Sequence, residues 1–244
     1  MLPSLVEPEE LAEGAVVVID VLRASTTMIH ALAHGGARII PCESVAEAQA
    51  VAARFPPSEV LRGGERGGVK IDGFDLDNSP RSYTPEVVAG KTIVFTTTNG
   101  TLALRRAAPA DRVLVGALVN LRAVLTCLRD YTGSVHLLCA GTDGRLTAED
   151  ILCAGLLVWR LTSLETVEGR WRIDVPAEMA RDFARRHGGS PADVLRTLRE
   201  SLGGRNLLDL GYEEDIAVAA RLDSHPVVPT YDRRTGAVTL LEPR

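Results

Sequence analysis

Acids and hydroxyls gather in this chain just after apolar runs, and that grouping suits a bound oxyanion. Asp20 stops the run 16–19, and Arg23, Ser25, Thr26 and Thr27 follow it. A second run, 91–96, feeds Thr97, Thr98, Asn99, Gly100 and Thr101. A third, 134–140, feeds Gly141, Thr142 and Asp143, with Glu149 and Asp150 opening the next helical pattern. Hydroxyls, helix N-termini and Arg forks suit a phosphate, but carboxylates alone do not. Two like charges about 4 Å apart repel by roughly 4 kcal/mol at an effective dielectric of roughly 20. Acids such as Asp20 and Glu149 around a phosphate therefore call for a divalent cation between them. Mg²⁺ prefers carboxylate oxygens, keeps its waters and shares phosphate oxygens, and it can polarise a phosphoryl group. The residues point to metal-assisted phosphoryl transfer.

Such groups need a scaffold that brings distant turns together. A continuous apolar run suits a strand buried on both faces, and Ser25 or Thr26 can cap the helix after it. Open α/β sheets bind ligands at the C-terminal ends of their strands, and parallel strands place those turns on one edge. The pattern predicts strands over 15–20, 38–42, 59–62, 91–96, 112–115 and 134–140, alternating with helices over 25–33, 44–54, 101–108 and 121–131. Ser44 and Glu47 form a capping-box pattern, as do Thr147 and Asp150, and Asn120 is placed to cap helix 121–131. Helices follow over 175–187, 190–202 and 212–222, with two short strands at 227–231 and 237–241 as a hairpin-like finish. Residues 63–80 read as a long glycine- and acid-rich loop, contributing Glu65, Arg66, Lys70, Asp75 and Asn78; loops of this length are often functional. The expectation is an α/β fold, three-layer α/β/α, with a mostly parallel sheet and a helix-rich C-terminal part. One unit spans 1–244, with a candidate subdivision near 162–175.

Composition narrows the partners. A formal net charge of −5 gives no global pull toward nucleic acid or an anionic membrane. With 45% hydrophobic but 4% aromatic residues, the core rests on Val, Leu, Ile and Ala. No basic-then-apolar leader or membrane-length run is present, and Cys42, Cys127, Cys139 and Cys153 lack zinc-type pairing. The expected setting is cytoplasmic, with reduced thiols. Two phosphatase strategies can be tested on the residues. The haloacid-dehalogenase pattern needs a second Asp two residues after Asp20, and Leu22 stands there. The cysteine-phosphatase spacing is met by Cys139 and Arg145, but Asp143 inside that loop would repel a phosphate and raise the thiol pKa.

Taken together, VVIDVLRASTT (17–27), GGER (63–66), GFDLDNSP (73–80), TTTNGT (96–101), CAGTDGRLTAEDILCAG (139–155) and LGYEEDI (210–216) resemble the 2-phosphosulfolactate phosphatase family. The motifs occur in order over roughly 15–230. The resemblance implies an α/β sandwich and a Mg²⁺-dependent phosphatase. Its namesake reaction converts (2R)-2-phospho-3-sulfolactate to 3-sulfolactate and phosphate, a step in coenzyme M biosynthesis. A substrate bearing phosphate, carboxylate and sulfonate needs several cations, for which Arg23, Arg66, Lys70 and Arg145 are candidates.

The expected metal ligands are Asp20, Glu65, Glu149 and Asp150. Asp20, Arg23, Asn99 and Glu149 form the expected catalytic set, with Arg23 steadying developing charge and an unligated carboxylate activating water. Ser25, Thr26, Thr27, Arg66, Thr97, Thr98, Gly100, Thr101 and Asn120 form the expected substrate-binding set. The expected partner is a small anionic organophosphate, with a homodimer as the assembly. Two alternatives stand beside this reading: thiol-based hydrolysis through Cys139, and a non-catalytic phospho-ligand binder.

Overall fold

The structure is a computed structural model that describes residues 1–163 and 171–241. Its strands are β1 (Gly14–Ile19), β2 (Arg38–Pro41), β3 (Val60–Arg66), β4 (Val69–Lys70), β5 (Thr92–Thr96), β6 (Arg112–Gly116), β7 (Ser134–Cys139), β8 (Pro229–Asp232) and β9 (Ala237–Leu240). The helices are α1 (Ala24–Ala33), α2 (Val45–Ala52), α3 (Pro85–Val88), α4 (Gly100–Ala107), α5 (Leu121–Arg129), α6 (Ala148–Thr162), α7 (Val175–His187), α8 (Pro191–Glu200), α9 (Leu202–Asp209) and α10 (Glu213–Ala219).

All described strands join one sheet in the order β4-β3-β5-β2-β9-β8-β6-β1-β7. Two parallel triplets, β3-β5-β2 and β6-β1-β7, flank the hairpin β8–β9, which pairs antiparallel with β2 on one side and β6 on the other. The hairpin at the end of the chain is therefore the centre of the sheet. Three antiparallel pairings in succession reverse the second triplet relative to the first, so the strands do not share one C-terminal edge as expected. The loops after β5 and β1 nevertheless converge. The convergence is direct: a Cβ built on Gly100, at the start of α4, would lie 2.6 Å from the Ala24 Cβ at the start of α1.

The three layers are set by alternation along β1. Val16 and Val18 enter one core with residues of α1 and α4, such as Met28 and Leu104. Ala15, Val17 and Ile19 enter the opposite core with α5, α6, α8, α9 and α10. All five β1 side chains are fully buried, which explains why that run shows no polar alternation. Beyond the hairpin, α2 covers Val94 of β5 on the second face.

Several local expectations change. β3 continues through Glu65 and Arg66 and turns into β4, so 63–66 is strand rather than loop. The predicted helix 190–202 is broken at Ser201, whose side chain accepts from Gly204 N–H and starts α9. Ser44 caps α2 by accepting from Glu47 N–H, but Glu47 reaches back to Glu43 N–H rather than closing the box on Ser44. Thr147 makes no side-chain cap bond on α6. Asn120 does not cap α5; it closes the 3-10 turn Leu118–Asn120, accepting from Ala117 N–H at 2.9 Å and donating to Val115 and Val227 carbonyls. Half of the candidate subdivision near 162–175, residues 164–170, lies outside the described residues.

Candidate active site

The end of β1 delivers Asp20 to the point where α1 and α4 begin. Asp20 is 7% exposed. Its Oδ1 accepts from Ala24 N–H at 3.2 Å, and its backbone N–H donates to Ser25 Oγ at 3.0 Å. A Cβ on Gly100 would stand 2.8 Å from Asp20 Oδ2, so α4 can approach this closely because position 100 lacks a side chain. Burial pushes the Asp20 carboxyl up to about 7, with the charges of Glu65 and Glu149 adding to the rise and Ala24 N–H and Arg23 opposing it.

Three acids meet here from distant elements. Glu65, at the end of β3, is held by two backbone donors: Thr98 N–H to Oε1 at 2.7 Å and Gly68 N–H to Oε2 at 2.8 Å. Glu149, in the first turn of α6, is 2% exposed, and its Oε2 is buried without a hydrogen-bond partner. Burial raises its pKa as well. The wall opposite Glu149 is α9, where a Cβ on Gly203 would lie 2.7 Å from Glu149 Oε1. Asp150 plays a different part. Val21 N–H donates to its Oδ1 at 2.9 Å and Gly141 N–H to its Oδ2 at 3.0 Å, so it ties the ends of β1 and β7 together. Burial, then Glu149 and Asp20, push its carboxyl well above the usual range.

A cleft of about 360 Å³ opens over these groups. Its lining includes Asp20, Arg23, Glu65, Asn78, Thr97, Thr98, Asn99 and Asp143, together with Gly203, Asn206, Asp209 and Leu210 of α9 and its C-cap. Arg23 is almost wholly buried; its Nη1 donates to Asp215 Oδ2 at 2.8 Å, its Nη2 to Gly68 O at 2.6 Å, and it lies 4.3 Å over the Tyr212 ring. Ser79 Oγ donates to the other oxygen of Asp215 at 2.6 Å. The Leu22–Arg23 peptide bond is cis. Asn78 Oδ1 is buried and unpartnered, and Asn99 makes no side-chain cap bond on α4.

The structure thus brings Asp20, Arg23, Glu65, Thr97, Thr98, Asn99 and Gly100 to one place and sets Glu149 behind Gly203. It uses other expected groups elsewhere. The hydroxyls of Ser25, Thr26 and Thr27 donate to the carbonyls of Val18, Val21 and Asn78, so they brace the turn rather than face a ligand. Thr101 Oγ1 donates to Thr97 O. Arg66 donates to Glu65 O, Glu43 O and Thr96 Oγ1 and does not line the cleft. Asp75 pairs with Arg62. Lys70 and Arg145 are exposed. Asn120 is buried, with both amide groups bonded to backbone. Cys139 is buried, and burial pushes its thiol up to about 12, with Asp150 adding. The segment after it closes into a turn by reciprocal Thr142–Arg145 backbone bonds of 3.0 Å. This geometry does not favour the thiol alternative, since a thiolate is the nucleophile.

Three features escaped the sequence reading. The α9 wall carries Gly203 and Asn206 from a stretch with no chemical signature. Asp215 and Tyr212 fix Arg23; the acidic run after Gly211 was a legible signal without a role. His30, His34 and His225 place three ligand atoms within 4.8 Å of one another, a closeness that no set of acids reaches among the described residues.

A divalent cation fits the acid cluster by donor chemistry. Asp20, Glu65 and Glu149 are hard oxygen donors, two of them with raised pKa values, and one oxygen has no partner. The Glu65 oxygens each keep lone pairs beyond their backbone donor. The wider spacing suits an ion that retains waters and shares ligand oxygens.

Comparison with known proteins gives a uniform result. The family model described as 2-phosphosulpholactate phosphatase matches residues 1–234. A protein of Symbiobacterium thermophilum named "Probable 2-phosphosulfolactate phosphatase" is 43% identical over 240 residues, covering 96% of this chain and 97% of that one. Proteins of the same name from Deinococcus radiodurans and Caldanaerobacter subterraneus subsp. tengcongensis are 40% and 38% identical, each over more than 90% of this chain and 90% of their own.

Proposed function

Since this chain belongs to the 2-phosphosulpholactate phosphatase family of phosphoric monoester hydrolases, we propose that it hydrolyses a small phosphorylated acid, (2R)-2-phospho-3-sulfolactate, to (2R)-3-sulfolactate and phosphate, with Mg²⁺ as cofactor. The observation that supports this reading most is the buried cluster of Asp20, Glu65 and Glu149 beside the N-terminus of α4. Among the described residues, Asp20, Glu65, Asp143 and Asp209 line the cleft, with Arg23 as the lining cation. A multiply charged anion entering that field meets net repulsion, and a bound cation reverses its sign.

Asp20, Glu65 and Glu149 would hold the metal, and Asp150 would hold the loops that present them. The metal would supply charge stabilisation on a phosphoryl oxygen and lower the pKa of a bound water. Arg23 keeps N–H donors beyond those engaged by Asp215 and Gly68, and these stabilise charge growing on the phosphate oxygens. Thr97, Thr98, Asn99 and Gly100 offer the phosphate a helix start. Glu149 would orient the attacking water through whichever oxygen the metal leaves free. Asn78 and Asn206 face the remainder of the substrate. The same proposal takes in a place in coenzyme M biosynthesis, a cytoplasmic setting and a homodimeric assembly. No described helix is long and apolar enough to cross a membrane.

The test is a phosphate-release screen over small phosphorylated acids, comparing sulfonated and carboxylated analogues with Mg²⁺ and with excess EDTA. Turnover of the sulfonated ester with Mg²⁺ and its loss in EDTA are expected. Full activity in chelator would remove the metal, and release from none of the esters would remove the hydrolysis.

A further inference from the structure

A second group of side chains with metal-binding chemistry lies at the far end of α1. His30 and His34 are spaced i, i+4 and share one face of the helix. His225, in the segment between α10 and β8, packs against both, with ring centroids 4.1 Å from His30 and 5.7 Å from His34. His30 and His34 are themselves 5.6 Å apart. One nitrogen from each ring lies within 4.8 Å of the other two. All three are half-buried, which leaves a path from solvent.

The outer contacts match those of ligating imidazoles. His34 Nδ1 lies 2.6 Å from Tyr83 O, which fixes a proton on Nδ1 and leaves the Nε2 lone pair free. His225 Nδ1 lies 3.0 Å from Ser224 Oγ. His30 Nε2 is buried with no hydrogen-bond partner. A ring nitrogen held by a backbone carbonyl or hydroxyl while the other faces the ion is the usual support of a metal-bound histidine. An unbonded buried ring nitrogen, by contrast, is a cost that packing alone does not recover.

We propose that His30, His34 and His225 form a binding site for a borderline divalent transition ion of the Zn²⁺ class, separate from the carboxylate cleft. Imidazole nitrogens select such ions over Mg²⁺, and three histidines with an open fourth position are an established zinc donor set. Tetrahedral zinc with bonds of ~2.0–2.1 Å draws its nitrogens to about 3.3–3.4 Å, so modest ring rotation closes the site. The ion ties α1 to the segment that leads into the central hairpin. His225 N–H already donates to Val119 O at 2.8 Å there. Along α1, at 1.5 Å per residue, His30 and His34 lie about 9 and 15 Å from Ala24 at the cleft end of the helix.

The experiment uses the full chain stripped with EDTA, then held in millimolar Mg²⁺ to occupy the carboxylate cleft. Equilibrium dialysis against Zn²⁺ should give one zinc per chain, lost in both His34→Gln and His225→Gln and kept in Asp20→Asn. Zinc at ~100 times its dissociation constant should raise the wild-type Tm by about 5–10 °C and leave both histidine variants unmoved. Co²⁺ should give the intense visible band of a four-coordinate nitrogen site in the wild type alone. Far-UV circular dichroism identifies a variant that has not folded, and the other then carries the comparison. Equal zinc in wild type and a folded histidine variant, loss of zinc in Asp20→Asn, or no zinc in the wild type would overturn the site.

Discussion

The two ends of α1 hold opposite solutions to the problem of unpaired polar groups. At its start, Asp20, Glu65 and Glu149 are almost fully buried oxygen donors, and the charges of Glu65 and Glu149 add to the burial that raises the Asp20 pKa. At its end, His30, His34 and His225 are half-exposed nitrogen donors. No three of the described acids come as close as the imidazoles, as repulsion between like charges demands, whereas the His30 and His225 rings sit tilted with centroids 4.1 Å apart. On the proposals above, donor type and spacing would suit a hard, hydrated ion at the acids and a borderline ion at the rings.

The sharpest way to break that contrast is Asp20→Asn. It should lower kcat on the order of 10²–10⁴-fold while the far-UV spectrum stays unchanged, measured by phosphate release under saturating Mg²⁺. Retained turnover would take Asp20 out of the chemistry. Next in size is Asp215→Asn. Removing one partner from a buried ion pair costs ~3–5 kcal/mol, read as a lower denaturant midpoint, and turnover should fall with it because Arg23 loses its anchor. Gly203→Ala places a methyl group 2.7 Å from Glu149 Oε1; displacing a reacting group by ~1 Å costs up to ~10²-fold, so a kcat loss of 10- to 100-fold with little change in stability is expected. The smallest effect belongs to Cys139→Ser, which should leave Mg²⁺-dependent turnover intact. A collapse there, with folding preserved, would revive the thiol route.

Much of the scaffold was legible along the chain. Apolar runs ending in Asp20, in Thr97 and at Gly141 marked β1, β5 and β7; β1 and β5 are buried along their whole length, whereas β7, at the sheet edge, is buried only at Leu138 and Cys139. Asp20 stood out because it stops the first run, and Glu149 because it opens the helical pattern after the third. Other readings failed for identifiable reasons. Ser25, Thr26 and Thr27 look like phosphate ligands in one dimension, yet hydroxyls after a strand bond equally well to nearby carbonyls, and here they do. Glu65 was assigned to a loop because its neighbours are glycines. Pairing with β5 and β4 nevertheless makes that segment a strand. Asn120 carried a capping signature, but its amide closes the preceding turn.

Residue order alone specified the alternating strands and helices, the acids at their junctions and the family motifs, since these follow from periodicity and local hydrogen bonding. Folding in three dimensions decided which acids face one another, how the hairpin reverses half the sheet, and that Gly203 backs Glu149. It also brought His225 onto His30 and His34. Those outcomes depend on contacts between segments far apart in the chain, and local propensity carries no information about which distant partner a side chain will meet.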